Sequence, residues 1–71
     1  MQESKRERRL RQKEQEMAVA EIGSLRDRLS DAYAVFDRTT DPDVLEACVY
    51  EINALRSRYN TAFKHYRERF F

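Results

Sequence analysis

Apolar positions recur with helical spacing over most of this chain. From Ala18 the residues Ala18, Ile22, Leu25, Leu29, Ala32 and Phe36 are spaced 4, 3, 4, 3 and 4. That spacing keeps one stripe of a helix facing a neighbouring helix. Val19, Tyr33 and Val35 widen the stripe on its flanks. A second series, Leu45, Cys48, Ile52, Leu55, Tyr59, Ala62 and Tyr66, is spaced 3, 4, 3, 4, 3 and 4. Val49, Phe63 and Phe70 widen it in turn. The pattern predicts an all-α chain with one helix over 17–38 and another over 43–70. Gly23 interrupts the first, at a cost of about 1 kcal/mol relative to Ala in a helix interior. The alternatives are close helix approach at Gly23, or a break with Ser24 capping a new start. The seam passes through without a phase shift, so a continuous helix is expected.

Between the two series lies Thr39-Thr40-Asp41-Pro42-Asp43, which reads as a stop and a restart. Pro42 fixes its own φ and pushes Asp41 out of the α region. Extended geometry suits an N-cap, and the Asp41 carboxylate can accept the free N–H groups of the next turn. Pro42 at the first helical position gives up an N–H that has no partner there anyway. A connection at residues 39–42 makes the two helices antiparallel neighbours. The expected fold is therefore an antiparallel two-helix hairpin over residues 17–71.

Residues 1–16 break the pattern, because after Met1 only Leu10 is apolar. Ser4-Lys5-Arg6-Glu7 has the spacing of a capping box. Lys5 and Arg9 repel at i,i+4, and positive charge in a first turn opposes the helix dipole. A charged extension, frayed or helical, is expected there.

Folding the halves about the turn sets Phe36 against Leu45, Leu29 against Ile52, and Ile22 against Tyr59. Ala18 meets Ala62 or Phe63. Beyond that level Tyr66 faces Gln15 and Phe70 faces Arg11, so apolar partners run out. A hairpin also leaves one side of its seam bare, and exposed apolar area on that scale marks an interface. The expected solution is a second copy, giving a homodimeric four-helix bundle. Its interface residues are Ile22, Leu25, Leu29, Phe36, Leu45, Ile52, Leu55, Tyr59, Phe63, Tyr66 and Phe70. A different protein partner at the aromatic open end is the other occupant to consider.

Composition sharpens this picture. Seventy-one residues with 38% charged side chains, one Gly and one Pro suit long helices and exclude a turn-rich β fold. The longest apolar run, Ala32 to Phe36, has five residues, too few to span a membrane. One cysteine, Cys48, makes no intrachain disulfide, and a reducing cytoplasm is the simplest setting. The formal net charge of +1 hides an asymmetry. Residues 1–13 hold six basic groups (Lys5, Arg6, Arg8, Arg9, Arg11 and Lys13) against Glu3 and Glu7, and the rest of the chain is net −3. With Lys64, Arg67 and Arg69 at the same end, these are candidate phosphate contacts for a nucleic acid. The turn end carries Asp37, Asp41, Asp43 and Glu46 against Arg38. Head-to-tail packing of two hairpins would bring opposite charges together.

Around Thr40-Asp41-Pro42-Asp43, Val49-Tyr50-Glu51-Ile52-Asn53-Ala54 and Arg58-Tyr59 the chain resembles the YaaL-like family of short bacterial proteins, a domain of unknown function. The resemblance covers residues 22–67 and includes Phe36 six residues before the proline. Leu29 stands where that family often has tryptophan. The resemblance implies a small cytoplasmic helical protein and supplies no catalytic residues.

Little else in the chain suggests chemistry. His65 beside the seam reads as solvated surface or a partner of the helix C-terminus. Cys48 reads as a small core residue, and no Cys/His spacing suits a metal. Arg26 and Arg56 flank the seams, but no acid, base or nucleophile joins them in a motif. No cofactor is expected. The sequence points to a non-enzymatic, self-associating interaction module, with a nucleic-acid-binding accessory protein as the alternative.

Overall fold

Ser4 opens the first helix. In the computed structural model, which describes residues 3–71, its backbone is extended (φ −67°, ψ 161°) and its hydroxyl accepts from the Glu7 N–H at 3.1 Å. From there α1 runs unbroken as Lys5–Arg38. Thr39 ends it in an extended conformation, its N–H donating to the Val35 carbonyl at 3.0 Å. Asp41 is extended as well and caps α2, Pro42–Phe70, by accepting from the Asp43 N–H at 2.9 Å. The Asp41 N–H in turn donates to the Thr39 hydroxyl at 3.2 Å, closing the connection on itself. Pro42 is the first helical residue, as its stereochemistry predicted, so α2 starts one residue before the 43–70 range of the apolar pattern.

The helices pack as an antiparallel hairpin, a rod of 59 × 15 × 13 Å. Leu25, Ala32, Cys48, Ile52 and Leu55 form its core, with Leu29, Tyr59 and Ala62 packed against them. Leu55 is the most deeply buried side chain, 2% exposed. All five core residues fall within one stretch of each helix, 25–32 and 48–55. Phe36, by contrast, is 37% exposed. It lies in the last layer before the turn, with no further layer beyond it to close over the ring.

Two expectations for α1 meet the structure differently. The helix is continuous through Gly23, as the unshifted seam implied. A Cβ there would find only the Arg26 guanidinium, at 4.0 Å, so Gly23 serves no close approach between α1 and α2. Residue 16, however, is no element boundary. The charged segment, apart from Met1 and Gln2, which lie outside the described residues, includes the cap and the first three turns of α1. The heptad spacing continues upstream through polar residues, Gln15 and Arg11, where an apolar count cannot see it. Gln15 Nε2 donates to the Tyr66 hydroxyl at 3.0 Å, and Arg69 pairs with Glu14 at 2.9 Å. The two helices stay paired to that level through polar contacts.

Candidate interaction surfaces

With Ile22, Leu29, Phe36, Leu45, Ile52 and Tyr59 at heptad position a, and Leu25, Ala32, Cys48 and Leu55 at d, the flanking rows are e and g. In an antiparallel pair the two e rows share one side of the hairpin and the two g rows share the other. The structure shows the g side directly. One groove between the helices is lined by Glu21, Arg28, Arg58 and His65 among others, and a second by Arg28, Val35 and Glu51. Acidic and basic residues thus alternate along this side, as on a solvated face.

The e side is different. Its positions are Val19, Arg26 and Tyr33 on α1, matched in register by Phe63, Arg56 and Val49 on α2. The four apolar members are 51%, 42%, 38% and 44% exposed for Val19, Tyr33, Phe63 and Val49. The adjoining row holds Gly23, Ser30, Asn53 and Asn60, small or uncharged, before Arg67 at the open end, and acids return only at Glu16, Asp37 and Glu46. This side is an apolar strip interrupted at mid-length by two arginines.

At the open end the aromatics cluster. The Tyr66 ring lies 5.3 Å from Phe70 and 5.4 Å from Phe71, and Tyr59 stacks on Phe63 at 6.2 Å. Arg67 lies over the Phe63 ring at 5.6 Å and Arg69 over Phe70 at 5.9 Å. Such exposed cation–π contacts each contribute about 0.5–1 kcal/mol. Tyr66 and Phe70, expected to run out of apolar partners, are half-buried; Phe63 is exposed, and Phe71 is the most exposed large apolar residue among the described residues.

The first turns of α1 are sorted by charge. At 100° per residue, Lys5, Arg6, Arg8, Arg9 and Lys13 share one broad face. Glu3, Glu7 and Glu14 lie on the other, lining a groove with Arg11 and Arg69. Arg11 pairs with Glu3 at 3.4 Å. Glu3, Glu7 and Glu14 are therefore turned away from the basic face, and Glu3 and Glu14 are occupied by arginines, while Glu16 falls on the basic face between the angles of Lys5 and Arg9. Among the described residues no ion pair involves Lys5, Arg6, Arg8, Arg9 or Lys13. Arg11 and Arg69, named with them as phosphate contacts, are instead engaged by Glu3 and Glu14.

The residues named from sequence as an interface divide accordingly. Leu25, Ile52 and Leu55 are consumed by the hairpin's own core, and Ile22, Leu29, Leu45 and Tyr59 are half-buried in its seam. Only Phe36, Phe63 and the aromatic end offer apolar area outward. Val19, Tyr33 and Val49 belong with them, a grouping visible only once the helix register assigns rows to sides. Among the described residues no three His, Cys, Asp or Glu side chains are placed to hold a metal, and no helix is long and apolar enough to cross a membrane.

These features define a small helical hairpin whose distinguishing surfaces are an apolar side and two oppositely charged ends. The family model described as a protein of unknown function (DUF2508) matches residues 1–69, and the chain belongs to that family. No curated protein and no solved structure matches it.

Proposed function

We propose that this chain is a non-enzymatic interaction module that works as a self-associated pair, two hairpins packing their e sides together into four helices. Surface area carries the proposal. The chain exposes 6142 Å². A compact monomer of 8.6 kDa exposes about 4,700 Å². The excess of about 1,400 Å² exceeds the roughly 800 Å² that each partner contributes to a standard interface. The Cα radius of gyration agrees, 17.0 Å against about 11 Å for a compact chain of this length. A second copy is the favoured occupant because the hairpin complements itself: Asp37, Asp41, Asp43 and Glu46 lie at one end, the basic face of α1 at the other. Head-to-tail packing satisfies both ends at once.

Sedimentation across dilution tests this. The wild type should have twice the chain mass at tens of micromolar, and Val19→Glu/Val49→Glu should be a monomer of unchanged helicity. Both positions are exposed in the hairpin, so the substitutions leave its core intact. A wild type that keeps single-chain mass up to millimolar concentration sinks the proposal.

One observation favours a second reading, contact with nucleic acid: the segregation of Lys5, Arg6, Arg8, Arg9 and Lys13 from Glu3, Glu7 and Glu14. Five phosphate contacts on a single strand give a log–log salt slope of about −3.5. Oligonucleotide binding that ignores salt, or survives Arg8→Glu/Arg9→Glu, would discard that reading.

A further inference from the structure

The two arginines that interrupt the apolar side are hard to place in any self-packed arrangement. Arg26 and Arg56 are matched in register, and both are exposed. Val19 and Phe63 lie seven residues to one side of them, Tyr33 and Val49 seven residues to the other. Each apolar layer is thus about 10 Å from the arginine level.

That spacing has a consequence for symmetry. A two-fold axis lying in the interface plane and perpendicular to the rod, through the arginine level, lays Val19 and Phe63 of one copy on Tyr33 and Val49 of the other. A two-fold axis along the rod lays each apolar layer on its own counterpart. Both arrangements bring Arg26 and Arg56 of both copies to one level. Sliding the copies to separate the arginines takes the apolar layers out of match. No acid on the e rows or the adjoining row can intervene between Glu16 and Asp37 on α1, or beyond Glu46 on α2. The nearest carboxylate is Asp27, 4.0 Å from Arg26 Nε, on the outer flank. That pair is exposed, at 71% and 77% of the two side chains. It is too weak to neutralise a guanidinium cluster that a second hairpin covers.

We propose that the centre of the self-associated pair is an anion site, in which Arg26 and Arg56 of both copies close on a multivalent oxyanion of the phosphate type. This rests on the self-association above and specifies what that interface contains. Guanidinium groups suit the role because their planar forks bind phosphate oxygens in a bidentate manner and never lose their charge. An anion that binds only the pair tightens the pair by the same factor.

The experiment is sedimentation of the full chain in chloride and in inorganic phosphate or pyrophosphate at matched ionic strength. Phosphate should lower the wild-type dimer dissociation constant about tenfold, within the range typical of linked binding. Arg26→Gln/Arg56→Gln should dimerise tightly in chloride and lose the phosphate response. Arg28→Gln/Arg58→Gln removes the same charge from the g side and should keep the response. A wild-type dimer indifferent to phosphate overturns the anion site and leaves self-association standing. Equal loss of response in both double variants also overturns it, because the effect is then general charge screening. Wild type and Arg26→Gln/Arg56→Gln monomeric in every buffer overturn the anion site and self-association together.

Discussion

Leu55 and Gly23 mark the extremes of what single residues do here. Leu55 is 2% exposed in a five-residue core, so truncation leaves a cavity that few neighbours can fill. Leu55→Ala should cost about 2–5 kcal/mol, read from denaturant midpoints. Phe71→Ala at 84% exposure should fall within about 0.5 kcal/mol of wild type. Gly23 lies in a helix interior without a positive φ, and a methyl group there meets nothing nearer than 4.0 Å. Gly23→Ala should therefore stabilise the hairpin by about 1 kcal/mol, which raises the melting midpoint of a domain this size by about 4–8 °C. An unchanged or lower midpoint would mean that Gly23 meets a surface the single hairpin does not supply.

The turn and the open end behave differently at the scale of elements. Asp41 accepts the Asp43 N–H, and its own N–H is held by Thr39, so the connection is fixed by short local bonds. Asp41→Ala should cost about 1 kcal/mol, with Asp41→Asn largely restoring it; equal loss in both variants would show that the carboxylate charge, rather than the cap, matters. The open end is held by Gln15–Tyr66 and Glu14–Arg69, a neutral hydrogen bond and an exposed ion pair. The hydrogen bond is worth about 0.5–1.5 kcal/mol and the ion pair about 0–1 kcal/mol. Amide exchange should accordingly be slowest around Cys48–Leu55 and fastest over Lys5–Lys13. Uniform protection along α1 would contradict that gradient.

For the whole molecule, the parts legible in the sequence were those written in local rules. Proline stereochemistry located the turn, and apolar periodicity located both seams and their pairing down to Gln15 opposite Tyr66. The continuation of α1 to Lys5 was legible only as one of two alternatives: the Ser4–Glu7 spacing offered the cap, but an amide–phenol pair at a heptad position has no apolar signature to choose a helical extension over a frayed one. The sidedness was hidden for another reason. Val19, Arg26 and Tyr33 join Val49, Arg56 and Phe63 only after the pairing of the two helices is known, and a single-helix pattern does not contain that. The charge sorting of residues 5–13 is likewise a property of the helix, invisible in a linear count where Glu7 sits between Arg6 and Arg8.

Cys48 is the chain's single cysteine and is 5% exposed, packed between the helices. A thiol reagent reaches it only when the hairpin opens, so the molecule carries its own clock for that event. At reagent concentrations where closing outruns modification, the labelling rate counts the open population, and any contact that closes over the rod slows the count. Labelling that slows as protein concentration rises would report association without any tag or dye. Labelling at the same rate throughout would time a hairpin that stands alone.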